Sequence, residues 1–569
     1  MKPTSLSRRF SRSLAARSAA LSLGLALLGE PALADRVITD DGRVIQPKKA
    51  RPKDGGYLLE FEMGEIFVAD PARLKAVEIE GDMSEYVPQN EDEKTKLAQG
   101  FVRYQGKWLS KPAYEDELRK AFQSSKARAD DLAEHADFHN AWKKETRHFM
   151  VSTNSSPELL EYYCELLEAY YSLMDDRFKI NPSPSLRRTK MEVNIWKSRA
   201  EFYKANRSTY GISPGVAGFF MPIVGSMGGS LNFYHDYQEP AISNWVSLHE
   251  CTHLLTYLID PQYVPQIWLN EAVADLFGSS KIERDAKGKL RIIPGQLQTD
   301  RVLTVQQAIA DDKSIPLADL FLIEREDFTA FEYAHAWSFV YFLNESSPER
   351  RKAFDRFFKD IYTLKKGIQA ETVPHYDKSG TGKRVPPEEI RRVVLDALST
   401  KDVQSLDREW KQFIAAIPVE GPQARFKRGW MAILQGSVFD EDEAKMKAKI
   451  AAAKADLDAA IEAGIKDARA WWARSKLLML QGQEEASRKD LLAAIEHDPL
   501  NAGYRYELGT MMVGGAVVLS GMGIDIEIEG DDEKGYQEAP EAQEPLGLAM
   551  ELAPDNPVYR RTYEKYMEQ

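Results

Sequence analysis

The chain has 569 residues, 43% of them apolar and 10% aromatic, and a formal net charge of −13. At roughly 150 residues per domain this is enough for about three or four cores, and the acidity argues against general nucleic-acid binding. Two cysteines, Cys164 and Cys251, cannot make a disulfide framework, so two free thiols are expected.

Residues 1–34 read as an export signal. Lys2, Arg8, Arg9, Arg12 and Arg17 give a basic start, an apolar run follows from Ala19 to Leu28, and "ALA" at 32–34 supplies the small residues of a cleavage site. About ten apolar residues are too few to span a bilayer. Arg8-Arg9 is followed at once by Phe10, a poor match to twin-arginine export. Ordinary secretion is therefore expected, with cleavage near Ala34 and a periplasmic or secreted mature chain that carries no membrane-spanning segment.

Residues 35–110 alternate apolar and polar side chains between turn signals at Asp41-Gly42 and Gly55-Gly56, which predicts a small β-rich module. Residues 111–146 are charge-rich with a helical pattern and read as a linker helix. A mixed α/β pattern spans 147–416. "HFMVST" (148–153), "KMEVNIW" (190–196) and "GGSLNFYHD" (228–236) read as strands. Residues 156–178 read as an amphipathic helix with Ser156 as N-cap and Pro157 in its first turn. Another helix begins at "SRAEFYKAN". Helical runs follow at 241–259, about 265–280, 327–345 and near 385–416, with a loop at 374–387. In the last region, 425–569, "NAGYRYEL" begins 34 residues after the similar stretch that starts at Asp467. Gly482 lies between the predicted helices and Asp498-Pro499 at the boundary, the period of a helix-turn-helix repeat. This region resembles tetratricopeptide repeats, interrupted by an acidic loop in "GMGIDIEIEGDDEKGYQEAPEAQEP".

The chemistry concentrates in "SLHECTH", residues 247–253. Positions i and i+4 of a helix share a face, so His249 and His253 can aim both imidazoles at one ion. Glu250, about 100° further round, stands beside such an ion, where it can take a proton from the attacking water. "HADFH" places His135 and His139 at the same spacing without a glutamate, and reads as a solvated helix face. A catalytic zinc site needs a third protein ligand. Glu271 of "WLNEAVADLFG", 18 residues after His253, sits in a mostly apolar run where a carboxylate needs a partner. Asp275, one turn on, is placed to accept the N–H of a ligand histidine.

"HECTH" followed by "NEAVAD" resembles the gluzincin zinc metallopeptidases of the thermolysin-like superfamily, and more narrowly a group of bacterial peptidase domains within it. The likeness covers 147–416. It implies an α+β fold with a zincin-like peptidase domain, flanked by the β-rich module and the helical repeats, and one catalytic Zn²⁺ acting on a peptide or protein substrate. It also implies that the strand before the zinc helix forms the active-site edge. "GGSLNFY" is expected there, with Gly229, Ser230 and Asn232 facing substrate. The family uses a Tyr or His to stabilise the oxyanion, and "FEYAHAW" offers Tyr333 and His335. Cys251, between the ligands, is expected to point away as a buried neutral thiol. The rival expectation is a weak or inactive peptidase-fold scaffold that binds protein partners through its repeats.

Overall fold

The structure, a computed structural model, describes residues 35–567 except 41–42, 81–82, 181–189, 213–215, 224–227, 237–239, 286–287, 376–379, 435–437, 441, 514–538 and 555. The expectations of an export signal at 1–34 and of an acidic loop, most of it within 521–538, fall outside the described residues. The fold is mixed α+β with a helical C-terminal region. No helix among the described residues is long and apolar enough to cross a membrane.

The chain divides into two compact units. The described residues through Glu134, together with those from Ala494 onward, form one; residues from His135 to Ala493 form the other. The first unit holds two three-stranded antiparallel sheets, one built from Arg36–Thr39, Val44–Ile45 and Leu74–Glu78, the other from Lys49–Lys53, Gly56–Glu60 and Glu65–Val68. The last helices join these strands. Glu551 accepts the main-chain N–H groups of Glu62 (2.9 Å) and Met63 (3.1 Å). Arg73 donates to Asp498 at 2.9 Å.

The second unit carries the candidate site on a five-stranded sheet. Its strands are β1 (Trp142–Glu145), β2 (Phe149–Thr153), β3 (Met191–Trp196), β4 (Gly218–Ile223) and β5 (Gly228–Tyr234), in the order β4-β5-β3-β2-β1. The three central strands are parallel, and β4 and β1 run antiparallel along the two edges. Parallel neighbours need crossovers, and helix α1 (Pro157–Phe178) supplies the first. Its N-cap Ser156 accepts from Leu159 N, and Lys179 in the left-handed region ends it. Helix α2 (Arg199–Tyr210) follows β3 and is capped by Ser198. Val151, Val193, Leu231 and Phe233 on the strands are completely buried, as are Tyr163, Leu167, Tyr170 and Met174 of α1.

Three sequence expectations change. The linker helix ends at Glu134. "HADFH" therefore leaves the helix: His135 stacks on Trp142 at 4.4 Å and Phe138–Asn140 forms a single 3₁₀ turn. Residues 142–145 then pair as β1, because "WKKE" puts alternate residues on the covered face of an edge strand. In the predicted loop at 374–387, Glu371–Pro374 and Thr381–Arg384 pair as a hairpin.

Candidate metal centre

Helix α3 (Pro240–Tyr257) carries "HECTH", and α4 (Ile267–Gly278) packs against it. Eleven of the twelve residues of α4 are buried, Trp268, Leu269, Ala272 and Val273 completely. A helix apolar on nearly every side belongs inside a core. The two helices meet closely at Gly278, where a Cβ would stand 3.2 Å from that of His249. Two carboxylates on this buried helix, Glu271 at 6% and Asp275 at 1% exposure, require counter-charges.

Those counter-charges converge on one point. His249 Nε2 and His253 Nε2 lie 3.2 Å apart, and Glu271 Oε2 lies 3.6 Å from the first and 3.5 Å from the second. Zinc with nitrogen and oxygen ligands at about 2.0–2.1 Å in tetrahedral array separates its donors by about 3.3 Å, so this triangle has the size that one such ion requires. It is the only cluster of this kind among the described residues. Burial pushes His249 toward neutrality, but the carboxylates of Asp275 and Glu271 outweigh it and hold its pKa up at about 10. For Glu271, burial likewise opposes ionisation. The two imidazoles overcome it and hold the carboxyl well below the usual range. Such mutual stabilisation is what a cation at the centre of the triangle would replace.

Around the triangle, Asp275 Oδ1 lies at an ion-pair distance of 3.1 Å from His249 Nδ1, the ring nitrogen that is not part of the triangle. Glu250 stands outside the triangle and accepts a hydrogen bond from Phe220 N on β4 at 2.9 Å. Tyr333 lies on α6 (Ala330–Glu345), while α5 (Thr299–Ala310) precedes that helix in the chain. Burial, and then the charges of Glu271 and Asp275, push the Tyr333 hydroxyl well above its ordinary pKa, so it stays protonated and able to donate. His335, two residues on, lies about 200° round the helix. Its Nδ1 faces the Phe331 carbonyl at 2.8 Å and its ring packs against Trp410, away from the triangle. The side chain of Cys251, at the same angular offset from His249, is free and fully buried, with its thiol pushed well above its usual pKa by burial and then by Glu168.

The expected edge strand is a correction. "GGSLNFY" forms β5, which pairs with β3 on one side and β4 on the other, so its main chain has no free side for a peptide. Gly229 instead makes room for an aromatic ring, since a Cβ there would come within 2.3 Å of Phe220. Asn232 donates to Ser230 Oγ at 2.9 Å and accepts from Asn194 at 3.1 Å, within the sheet. The edge is β4, which sequence reasoning passed over. Its signal was an apolar run, "GFFMPI", containing Pro222, a residue that sheets tolerate at edges. Two arginines were also missed. Arg301 Nη2 lies 2.7 Å from Asp275 Oδ2, and the mostly exposed Arg325 lies 3.9 Å from Glu271 Oε1. Neither is close in sequence to the carboxylate it meets, so no spacing marks them.

No family model, no curated protein and no solved structure matches the chain.

Proposed function

We propose that the protein is an exported zinc metallopeptidase of the gluzincin type, in which His249, His253 and Glu271 hold one Zn²⁺. The observation that carries this reading is the donor triangle with edges of 3.2, 3.5 and 3.6 Å, closed by two histidines one helical turn apart and a buried glutamate. These donors fit the ion in number, type and spacing. Zinc bound there would supply Lewis acidity to the scissile carbonyl and the water.

The remaining steps belong to the side chains. Glu250 is held at Oε2 by the Phe220 amide, which leaves Oε1 for the water. It takes a proton from that water as the water oxygen bonds to the carbonyl carbon, then gives it to the amide nitrogen as the C–N bond breaks. Tyr333, protonated and beside Glu271, donates to the oxyanion that develops at the carbonyl. Of the two candidates for that role, Tyr333 is favoured because His335 faces Trp410. Asp275 keeps His249 turned toward the ion.

Metal analysis and a fluorogenic peptide library test the reading together. Stoichiometric zinc, and hydrolysis that falls on Glu250→Gln, support it. Cleavage by Glu250→Gln at the wild-type rate would overturn it. Zinc binding with no hydrolysis of any peptide would favour the scaffold alternative.

A further inference from the structure

We propose that Arg301 is a positioning residue of the metal centre: it fixes Asp275 against His249 and packs on Tyr333, and so sets how tightly the three ligands hold zinc. This rests on the zinc reading above and goes beyond it, because Arg301 touches none of the three ligands.

Arg301 stands in the first turn of α5, where the helix dipole disfavours a cation. Its side chain is only 13% exposed. Something must compensate for both costs, and the contacts identify it. Nη2 lies 2.7 Å from Asp275 Oδ2. Nε donates to Gln298 Oε1 at 2.8 Å, and Gln298 Nε2 donates in turn to the main-chain carbonyl of Asp275 at 3.3 Å. Arg301 and Gln298 together grip Asp275 at its side chain and its backbone.

The grip divides the carboxylate. Oδ2 is committed to Arg301, and Oδ1 is left 3.1 Å from His249 Nδ1. A carboxylate at 1% exposure that lost its arginine would be a buried, half-compensated charge, free to rotate away from His249. Rotation removes the carboxylate oxygen that stands against the imidazole on the side away from the ion. The guanidinium also lies over the Tyr333 ring, 5.6 Å from its centroid. One residue therefore joins the support of a ligand histidine to the tyrosine proposed for the oxyanion.

The test measures zinc affinity by chelator competition for the full chain and for Arg301→Met and Arg301→Lys. Visible absorption of the cobalt-substituted forms and melting of the metal-free forms are recorded alongside. Arg301→Met is expected to bind zinc about 10- to 100-fold more weakly, the range for loss of a ligand's support, with a shifted cobalt spectrum. Arg301→Lys, which keeps the charge and loses the planar fork, should recover part of the loss. An Arg301→Met variant that melts like wild type and binds zinc within twofold of it, or more tightly, overturns the proposal. If Arg301→Met does not fold, Arg301→Lys decides: weaker zinc binding supports the proposal and wild-type binding overturns it. A wild-type chain that takes up no zinc overturns the metallopeptidase reading, and this proposal falls with it.

Discussion

The candidate metal centre and the unit formed by the chain's two ends reach their partners over very different stretches of sequence. The triangle draws its donors from two helices in succession, with Glu271 only 18 residues after His253. The terminal unit ties Glu62 and Met63 to Glu551, 489 and 488 positions away. Closing such a loop costs conformational entropy, but the cost grows only slowly with length. Both arrangements are open to a folded chain, therefore, and they differ in how far they can be read. A local pair leaves a spacing in the sequence, whereas a contact between the ends leaves none.

Substitutions separate the two regions. The largest effect is expected from Glu271→Ala, which removes one of the three proposed ligands: zinc should be lost on dialysis, and peptide hydrolysis with it, while circular dichroism keeps its helical signal. Tyr333→Phe should lower kcat by about 10²- to 10³-fold with zinc retained, the range for one oxyanion donor. His335→Gln should not reproduce that loss, and steady-state kinetics of the pair decide between them. In the terminal unit, Glu551→Ala removes the acceptor of one exposed and one part-buried main-chain donor and should destabilise that unit by about 0.5–1.5 kcal/mol in urea titration, with zinc content unchanged. The smallest effect concerns pH. Burial raises the Glu168 carboxyl, but hydrogen bonds from His148 and Thr146 outweigh it and hold its pKa down at about 2. A depressed carboxylate stabilises the fold above its unfolded pKa, and that contribution is lost as pH falls from about 4.5 toward 2. Glu168→Gln should flatten the stability profile in that window.

Much of the site was legible, for physical reasons particular to each residue. His249, Glu250 and His253 lie on one turn of helix, and Glu271 and Asp275 stand out as charges in the apolar run of α4. Helical periodicity puts the two imidazoles on one face of α3 and the two carboxylates on one face of α4. Strand β4 was missed, so the sheet edge was assigned to β5, one strand inside the true edge. A hairpin partner changes which strand is outermost without changing either strand's own pattern. Arg301 and Arg325 were invisible because an ion pair specifies no spacing. The two-unit division was equally hidden, since each end of the chain reads by itself as an ordinary run of strands or helices.

Three side chains on α3 and α4 are proposed to form a zinc site. Titration of the metal-free full chain with zinc, read by calorimetry beside His249→Ala and Glu271→Ala, tests it most directly. One high-affinity ion per wild-type chain is expected, and its loss in both variants. No stoichiometric binding by wild type, or binding that survives both substitutions, would contradict it.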